Sequence, residues 1–363
     1  MTSAAVIGCG DVSTVHFEAL AGMTGVELTA VADTDPGRLA IAEGAHGVAG
    51  YGDYRRMLDE VRPDVVHICT PHHRHADVAL ECLERGINVI LEKPLAHTVA
   101  DGERIAESAD RSVAKIAVCF QNRYNSTVQA MHSLLASGAL GRVRGASATV
   151  IWHRSAEYYR ARPWRGMWET SGGGLLMNQA IHTVDLMQWL LGEVVEVQGS
   201  VATRVLGDAM EVEDTADMVL HHSDGLRSVL YATLANTVNS PVTVDVVTDT
   251  ASLHLRGDLT VTYDDGRVDV IPEYKAESGG RDYWGVSHGL LIRDFYARLG
   301  ETEPFWIGPR EALKSLKIVQ DVYARSGAHC VPFRAMRARR TRPFKLIDQV
   351  TPATSGPDWR RIK

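Results

Sequence analysis

Lys93 closes an apolar run, Asn88-Val89-Ile90-Leu91, within the segment Leu91-Glu92-Lys93-Pro94-Leu95. An ammonium group at the end of a buried strand is suited to stabilising negative charge that develops on an oxygen. A second polar set follows a triple glycine in Ser171-Gly172-Gly173-Gly174-Leu175-Leu176-Met177-Asn178-Gln179-Ala180-Ile181-His182-Thr183-Val184-Asp185. On a helix the spacings i, i+4 and i+7 put Asn178, His182 and Asp185 on one face. Imidazole titrates near neutral pH, so His182 is suited to proton transfer, Asp185 to orienting its ring and Asn178 to holding a hydroxyl. Charge stabilisation by Lys93 and proton transfer by His182 together fit the interconversion of a secondary alcohol and a ketone, provided something carries the hydride. The plain alternatives are a solvated strand-end lysine and a hydrogen-bonded core histidine. Pro94 raises the chance of a cis bond at this turn.

The hydride carrier is indicated upstream. A short apolar run over 3–7 meets Gly8-Cys9-Gly10-Asp11-Val12-Ser13, and an amphipathic stretch over 14–20 follows. Strand, Gly-x-Gly turn and helix bring a pyrophosphate onto free backbone amides at a helix N-terminus. Ser13 stands where a third glycine is usual and is small enough for close packing of helix on strand. A second apolar strand over 26–32 ends at Asp33, twenty-five residues after Gly8, where an acid accepts the hydroxyls of an adenosine ribose. Thr34 and Asp35 follow with no adjacent arginine, which favours NAD; Arg38, one turn on, keeps NADP as the lesser alternative.

These residues need a frame. Strands over 65–69, 88–91 and 115–120 alternate with helices over 74–85 and 99–111, the pattern of a parallel sheet covered on both faces. After a helix over 127–136 the pattern changes. Alternating runs over 194–205, 216–222, 226–234 and 242–248, with turns such as Asp224-Gly225 and Asp265-Gly266, predict an antiparallel sheet. Helices over 174–191, 288–299 and 310–325 are expected to pack on it. The fold class is therefore α/β plus α+β: an N-terminal doubly wound parallel sheet of Rossmann type, and a C-terminal domain of open, mostly antiparallel sheet covered by helices. The expected division is 1–122 for the dinucleotide domain, 123–333 for the substrate-binding and oligomerisation domain, and 334–363 for a basic tail. The ligand crevice lies outside the carboxyl ends of the parallel strands.

Composition limits the alternatives. With 363 residues, 45% of them hydrophobic, the chain exceeds what one core usually serves. A net charge of -7 argues against a general nucleic-acid binder. No apolar run reaches the roughly eighteen residues of a membrane span, and Met1-Thr2-Ser3 leads straight into the first strand. Cys9, Cys69, Cys82, Cys119 and Cys330 show no Cys-x-x-Cys spacing, and Cys69 and Cys119 lie in apolar strands, so thiols in a reducing cytoplasm are expected. The tail holds nine Lys/Arg against two Asp, a balance of +7 on a body of -14. It either docks on its own or a neighbouring protomer, or is a solvated terminus.

Thr70-Pro71-His72-His73-Arg74-His75 follows a parallel strand and faces the crevice. The three histidines lie too close in sequence to close a metal shell without further ligands, so no metal site is assigned. Thr70 and Pro71 instead line the dinucleotide, with His75 capping or contacting at the helix start. Over 152–170, Arg154, Arg160, Arg162 and Arg165 alternate with Trp152, Tyr158, Tyr159, Trp164 and Trp168. Aromatic faces suit a pyranose, and arginine forks suit a carboxylate or phosphate. The expected substrate is a sugar or sugar derivative; the alternative for this stretch is a domain or subunit contact. An exposed sheet face suits a homo-oligomer, a dimer or tetramer.

The ordered motifs resemble the Gfo/Idh/MocA family of NAD(P)-dependent oxidoreductases over residues 4 to about 333. They are the glycine turn, Thr70-Pro71 with His75, Glu92-Lys93-Pro94, and Gly172-Gly173-Gly174 followed by His182 and Asp185. The resemblance implies a dehydrogenase or reductase acting on CH-OH groups of sugars. Lys93 would position substrate and stabilise the alkoxide, and His182 would handle the hydroxyl proton. Many members carry aspartate four residues before that histidine; Asn178 stands here, which shifts the base role to His182 and points away from inositol dehydrogenases. The Asn-Gln pair looks like the branch with sugar-nucleotide 3-dehydrogenases and ketosugar enzymes. Cofactor contacts are implied at Gly8, Cys9, Gly10, Asp11, Val12, Asp33, Thr34, Arg38, Thr70, Pro71, His72, His75, Glu92, Lys93, Gln121, Trp164, Arg165 and Tyr283. Substrate contacts are expected at Lys93, Asn178, His182, Trp164, Arg165 and Tyr159. Two other functions share the scaffold: an NAD-dependent glycosidase working by transient oxidation of a ring hydroxyl, and a non-catalytic dinucleotide-binding regulator.

Overall fold

Six short strands of almost unbroken apolar sequence pair in parallel because helices cover both of their faces. They are β1 (Thr2–Ile7), β2 (Val26–Ala32), β3 (Ala49–Tyr51), β4 (Val65–Ile68), β5 (Asn88–Leu91) and β6 (Ile116–Val118), in the order β3-β2-β1-β4-β5-β6. The covering helices are α1 (Ser13–Ala21), α2 (Pro36–His46), α3 (Tyr54–Val61), α4 (His75–Glu84) and α5 (Val99–Arg111). The strand order reverses between β1 and β4, so the chain leaves those two strands in opposite directions and a crevice opens at their carboxyl ends. This computed structural model describes residues 1–273 and 285–327. All of them belong to one unit, Met1–Ala328. Tyr283, Cys330 and the basic tail over 334–363 lie outside the described residues.

A 3-10 turn (Gln121–Tyr124) and α6 (Ser126–Ala136) lead into the second sheet. Its strands are β7 (Val143–Ile151), β8 (Val194–Ala202), β9 (Thr215–His222), β10 (Arg227–Thr233), β11 (Thr243–Thr248), β12 (Ala251–Arg256), β13 (Asp258–Tyr263) and β14 (Val268–Ile271). The order is β14-β13-β12-β11-β7-β10-β9-β8, and every pairing is antiparallel except that of β7 with β10. Burial alternates residue by residue along β10 and β12, the pattern of a sheet with one covered and one open face. Val229, Tyr231 and Val247 stand on the open face. The remaining helices are α7 (Ala156–Arg160), α8 (Trp168–Ser171), α9 (Ile181–Leu191), α10 (Gly285–Ala297) and α11 (Pro309–Arg325). One hydrophobic core runs through both sheets, joining Leu91, Leu95 and Phe120 to Leu176, Met177, Val184, Ala148 and Val150.

The helix expected over 174–191 is not continuous. A π-helical turn, Leu176–Ala180, precedes α9, so the 3.6-residue spacing assumed between Asn178 and His182 does not hold. Gly174 cannot be replaced at the start of this stretch, because a Cβ there would lie 2.0 Å from the Glu213 carbonyl oxygen.

Asp185 is claimed by a different partner from the one expected. Arg123, from the 3-10 turn after β6, grips it with both arms: Nε to Oδ2 at 2.7 Å and Nη2 to Oδ1 at 2.7 Å. Both side chains are 1% exposed; Glu311 accepts from the same guanidinium at 3.0 Å, and Ser315 donates to Asp185 at 3.0 Å. The cluster joins the turn after the parallel sheet to α9 and α11. Removing one partner leaves an uncompensated buried charge, a cost of about 3–5 kcal/mol. Arg123→Leu should therefore lower the urea unfolding free energy by about that amount, and Arg123→Leu with Asp185→Leu should recover part of it.

Candidate active site

The crevice, about 1500 Å³, is bounded by the carboxyl ends of the parallel strands, by the segment around Trp164 and by the π turn before α9. Its dinucleotide end is built from backbone. Gly8 has φ +93, and a Cβ there would meet the Cys69 carbonyl at 2.7 Å, so only glycine lets β1 turn this close to β4. Asp33 holds the turn: Oδ2 accepts the Cys9 amide at 2.7 Å and Oδ1 accepts the Asp35 amide at 2.8 Å. Ser13 closes the position of the missing glycine by donating its hydroxyl to the Gly10 carbonyl at 2.7 Å. No side chain caps the start of α1 after Val12, which suits an anion at that helix end. Gly8, Gly10, Asp11, Val12, Asp33, Thr34 and Arg38 all line the crevice. Cys9 does not; its amide is spent on Asp33, and its side chain packs into the small core beside Val6 and Val31.

Asp11 is bound across the crevice by Arg162 at 3.3 Å and Arg165 at 3.1 Å. Burial works against its charge, yet the two guanidinium groups hold it below its ordinary range. Arg165 also lies over the Tyr158 ring at 4.5 Å, and Trp164 meets His72 edge-on at 4.8 Å. Trp164, Arg165 and Tyr158 line the crevice. Tyr159, a residue at which a substrate contact is expected, has a ring 1% exposed and part of the core, whereas its neighbour Tyr158 lines the crevice. At the far end Trp152 donates to the Ser240 carbonyl at 3.0 Å, and Arg154 donates to the Asn239 side chain at 3.1 Å.

Of the histidines after β4, His72 lines the crevice and bonds the Ser171 carbonyl at 2.9 Å. His75 does not line it. Its ring is buried between the Pro94 carbonyl at 2.7 Å and the Thr70 carbonyl at 3.0 Å, and as a neutral ring it donates its one N–H to one of them. Burial brings its pKa down to about 4, against the pull of those two carbonyls. His75, at which a cofactor contact is expected, contacts in this structure the turns that carry Thr70 and Lys93.

The reactive end gathers Lys93, Asn178 and His182 on the crevice wall. The Lys93-Pro94 bond is cis. Lys93 Nζ donates to the Asn178 carbonyl at 2.6 Å. Burial brings its pKa to about 8, with the neighbouring Glu92 acting the other way. His182 is held well below its ordinary pKa by burial and then by Lys93, so its imidazole is neutral and able to accept a proton. The ring lies edge-on to Phe120 at 5.9 Å, and Asp185 does not orient it, being bound to Arg123 instead. Glu92 lies at the crevice floor, where Oε1 accepts from His16 at 3.1 Å and from His288 at 3.1 Å. Tyr54, His16 and His288 went unnoticed in the sequence; a lone tyrosine or histidine on a helix carries no local signal of what faces it.

Buried polar atoms without partners concentrate here. Among the described residues, Tyr54 Oη, Thr70 Oγ1, Gln121 Oε1, Asn178 Nδ2, both amide atoms of Gln179 and His182 Nδ1 have none, and all six residues line this one crevice. Each such atom costs about 1–3 kcal/mol unless a ligand or water answers it. A wall of unanswered donors and acceptors fits a polyhydroxylated ligand beside a dinucleotide.

The model described as an oxidoreductase family with an NAD-binding Rossmann fold matches residues 2–120, and the GFO/IDH/MocA C-terminal domain matches residues 128–254. D-apiose dehydrogenase of Paraburkholderia graminis is 31% identical over 64% of this chain and 60% of its own length. Inositol 2-dehydrogenase 2 of Saccharopolyspora erythraea is 30% identical over 61% of this chain and 63% of its own. The chain thus matches less than two thirds of either relative. The solved structure of the WlbA dehydrogenase from Bordetella pertussis, in complex with NADH and UDP-GlcNAcA, is 30% identical with a TM-score of 0.78, covering 91% of this chain and 97% of that one.

The buried rings set an acid limit. His16, His67, His72, His75 and His182 all have folded pKa values lowered by burial, so below about pH 6.5 the unfolded chain takes up protons that the folded chain refuses. Their contribution is complete above pH 6.5 and is lost as pH falls toward their folded values. Glu213, pushed up to about 7 by burial, acts in the opposite sense by one proton. Unfolding free energies from urea titrations should fall between pH 6.5 and 5 with a slope of more than one proton, above about 1.4 kcal/mol per pH unit.

Proposed function

The chain belongs to the Gfo/Idh/MocA family of oxidoreductases, and from that premise we propose that it interconverts a secondary alcohol and a ketone on a sugar or sugar derivative, with NAD as hydride carrier. The observation that carries this reading is the set of polar atoms of Thr70, Gln121, Asn178, Gln179 and His182 that have no partner among the described residues and line the same crevice as Lys93. When bound, the dinucleotide supplies the hydride acceptor for oxidation or the donor for reduction. Gly8, Gly10, Val12 and the start of α1 would hold its pyrophosphate, and Asp33 its adenosine ribose. The Asp33 carboxylate repels a 2′-phosphate, which supports NAD over NADP.

The protein's own residues divide the remaining work. The neutral His182 ring accepts the hydroxyl proton as the alcohol is oxidised and returns it in reduction. The Lys93 ammonium stabilises the alkoxide in either direction, and it acts more strongly where water is excluded. Asn178 offers an amide to a neighbouring hydroxyl. Trp152 and Tyr158 line the crevice with the Arg154 guanidinium over both rings, a cation beside aromatic groups that suits a sugar with an anionic substituent. The open sheet face with Val229, Tyr231 and Val247 supports a homo-oligomer.

The direct test incubates the enzyme and NAD+ with a panel of sugars and sugar nucleotides. Reduced nicotinamide is read by absorbance and the product by mass spectrometry; cleavage of a glycosidic bond without net NADH would favour the glycosidase instead. Lys93→Ala should lower kcat by about 10²–10³-fold, and an unchanged turnover would remove Lys93 from the chemistry. His182→Asn should lower kcat by about 10²–10⁴-fold while the Kd for NAD, measured by fluorescence, stays within about twofold. Because Lys93 loses its proton near pH 8, kcat/KM for oxidation should fall as pH rises through about 8, and this limb should be missing in Lys93→Ala.

A further inference from the structure

Behind the crevice floor a file of buried polar groups runs away from Glu92. His16 Nε2 lies 3.1 Å from Glu92 Oε1, His16 Nδ1 lies 2.8 Å from His67 Nδ1, and His67 Nε2 lies 2.9 Å from the Tyr296 hydroxyl. His16 sits on α1, His67 in β4, Tyr296 on α10, and both histidines are wholly buried. Burial keeps each ring neutral, so each has one N–H and one bare nitrogen.

Only two arrangements make every bond in the file. In the first, Tyr296 donates to His67 Nε2, His67 Nδ1–H donates to His16 Nδ1, and His16 Nε2–H donates to Glu92, which is a carboxylate. In the second, all donors reverse and Glu92 carries a proton. His288 donates to the same Glu92 oxygen at 3.1 Å and the Lys93 ammonium is its chain neighbour; both favour the carboxylate. Passing a proton inward would take it from a buried phenol to a strongly acidic carboxyl, an uphill step, so holding charge wins over carrying protons.

We propose that His16, His67 and Tyr296 are positioning residues: their one-way hydrogen bonds hold Glu92 as a carboxylate, and Glu92 in turn keeps the half-buried Lys93 an ammonium. The inference rests on the alcohol–ketone reading for its link to turnover, but the tautomers it requires do not. A buried file of this kind costs more than apolar side chains of the same size, which supports a role beyond folding. The other titratable groups near Glu92 are Cys69 after β4, Cys119 after β6, His75 from α4 and His182 from α9. None of these is positively charged at neutral pH; His288 bonds Glu92 directly, and Arg165, from the turn after α7, is the other charged group that acts on Lys93.

The test has two arms. Imidazole 15N NMR of the full-length protein, assigned with single histidine variants, should show His16 protonated at Nε2 and His67 at Nδ1, both neutral from pH 6 to 9. Finding His16 as an imidazolium or protonated at Nδ1 overturns the proposal whether or not any sugar is turned over. In the kinetic arm, His67→Leu should move the alkaline limb of kcat/KM downward, a loss at pH 8 of about five- to sixfold for the first unit moved and about tenfold for each further unit. His67→Gln can still donate to His16 and accept from Tyr296, and should stay within about twofold of the parent. Tyr296→Phe, which keeps the packing, should shift the limb in the same direction by a smaller amount. An unmoved limb in both His67→Leu and Tyr296→Phe, or a His67→Gln variant as impaired as His67→Leu, refutes the link to Lys93. If the NMR tautomers hold and no alcohol is turned over by the parent protein, the functional reading fails and the assignment of the file stands.

Discussion

Glu92 is buried and Lys93 half-buried side by side at the carboxyl end of β5, and the site is arranged around the need to satisfy both. A carboxylate and an ammonium in an apolar interior each cost several kcal/mol unless hydrogen bonds replace their hydration. Two histidines from α1 and α10 meet Glu92, and the Asn178 carbonyl meets Lys93. That last bond ties the strand end to the π turn before α9. His75, behind the turn, lies between the Pro94 and Thr70 carbonyls and donates to one of them. The same bonds that make the burial tolerable therefore set where the ammonium, the amide and the imidazole stand relative to one another.

A second buried ionic cluster separates structure from chemistry. Asp185 lies within one turn of His182 and has the right type to orient an imidazole. Arg123 holds it instead, with Glu311 and Ser315 completing the shell. The consequence is a neutral His182 with an unanswered Nδ1, free to take its proton relations from the ligand. On the function proposed, Asn178, which cannot exchange a proton, leaves the base role on that wall to the imidazole.

Much of this was legible from local sequence. The glycine turn, the acid after the second strand, and the strand and helix periodicities each depend on contiguous residues, and their elements formed within a few positions of where they were expected. The helix over 174–191 was legible as a helix, but its π turn was not, because one extra residue in a turn leaves the apolar pattern nearly unchanged. Tyr158 and Tyr159 could not be told apart in sequence; which of two adjacent rings enters the core depends on the direction of α7. His75 had the right position for a ligand contact, yet its ring turns behind the strand ends.

The amino-acid sequence alone determined the order of elements, the glycine-rich nucleotide turn, and the presence of a lysine and a histidine fit for alcohol–ketone chemistry, because these are written in neighbouring residues. Only the tertiary structure decided how the buried charges are shared: Asp185 to Arg123, 62 residues away, and Glu92 to His16 and His288, 76 and 196 residues away. The reason is physical. A buried polar group takes whichever partner the packing brings within hydrogen-bond distance, and packing across sheets and helices leaves no periodic trace along the chain.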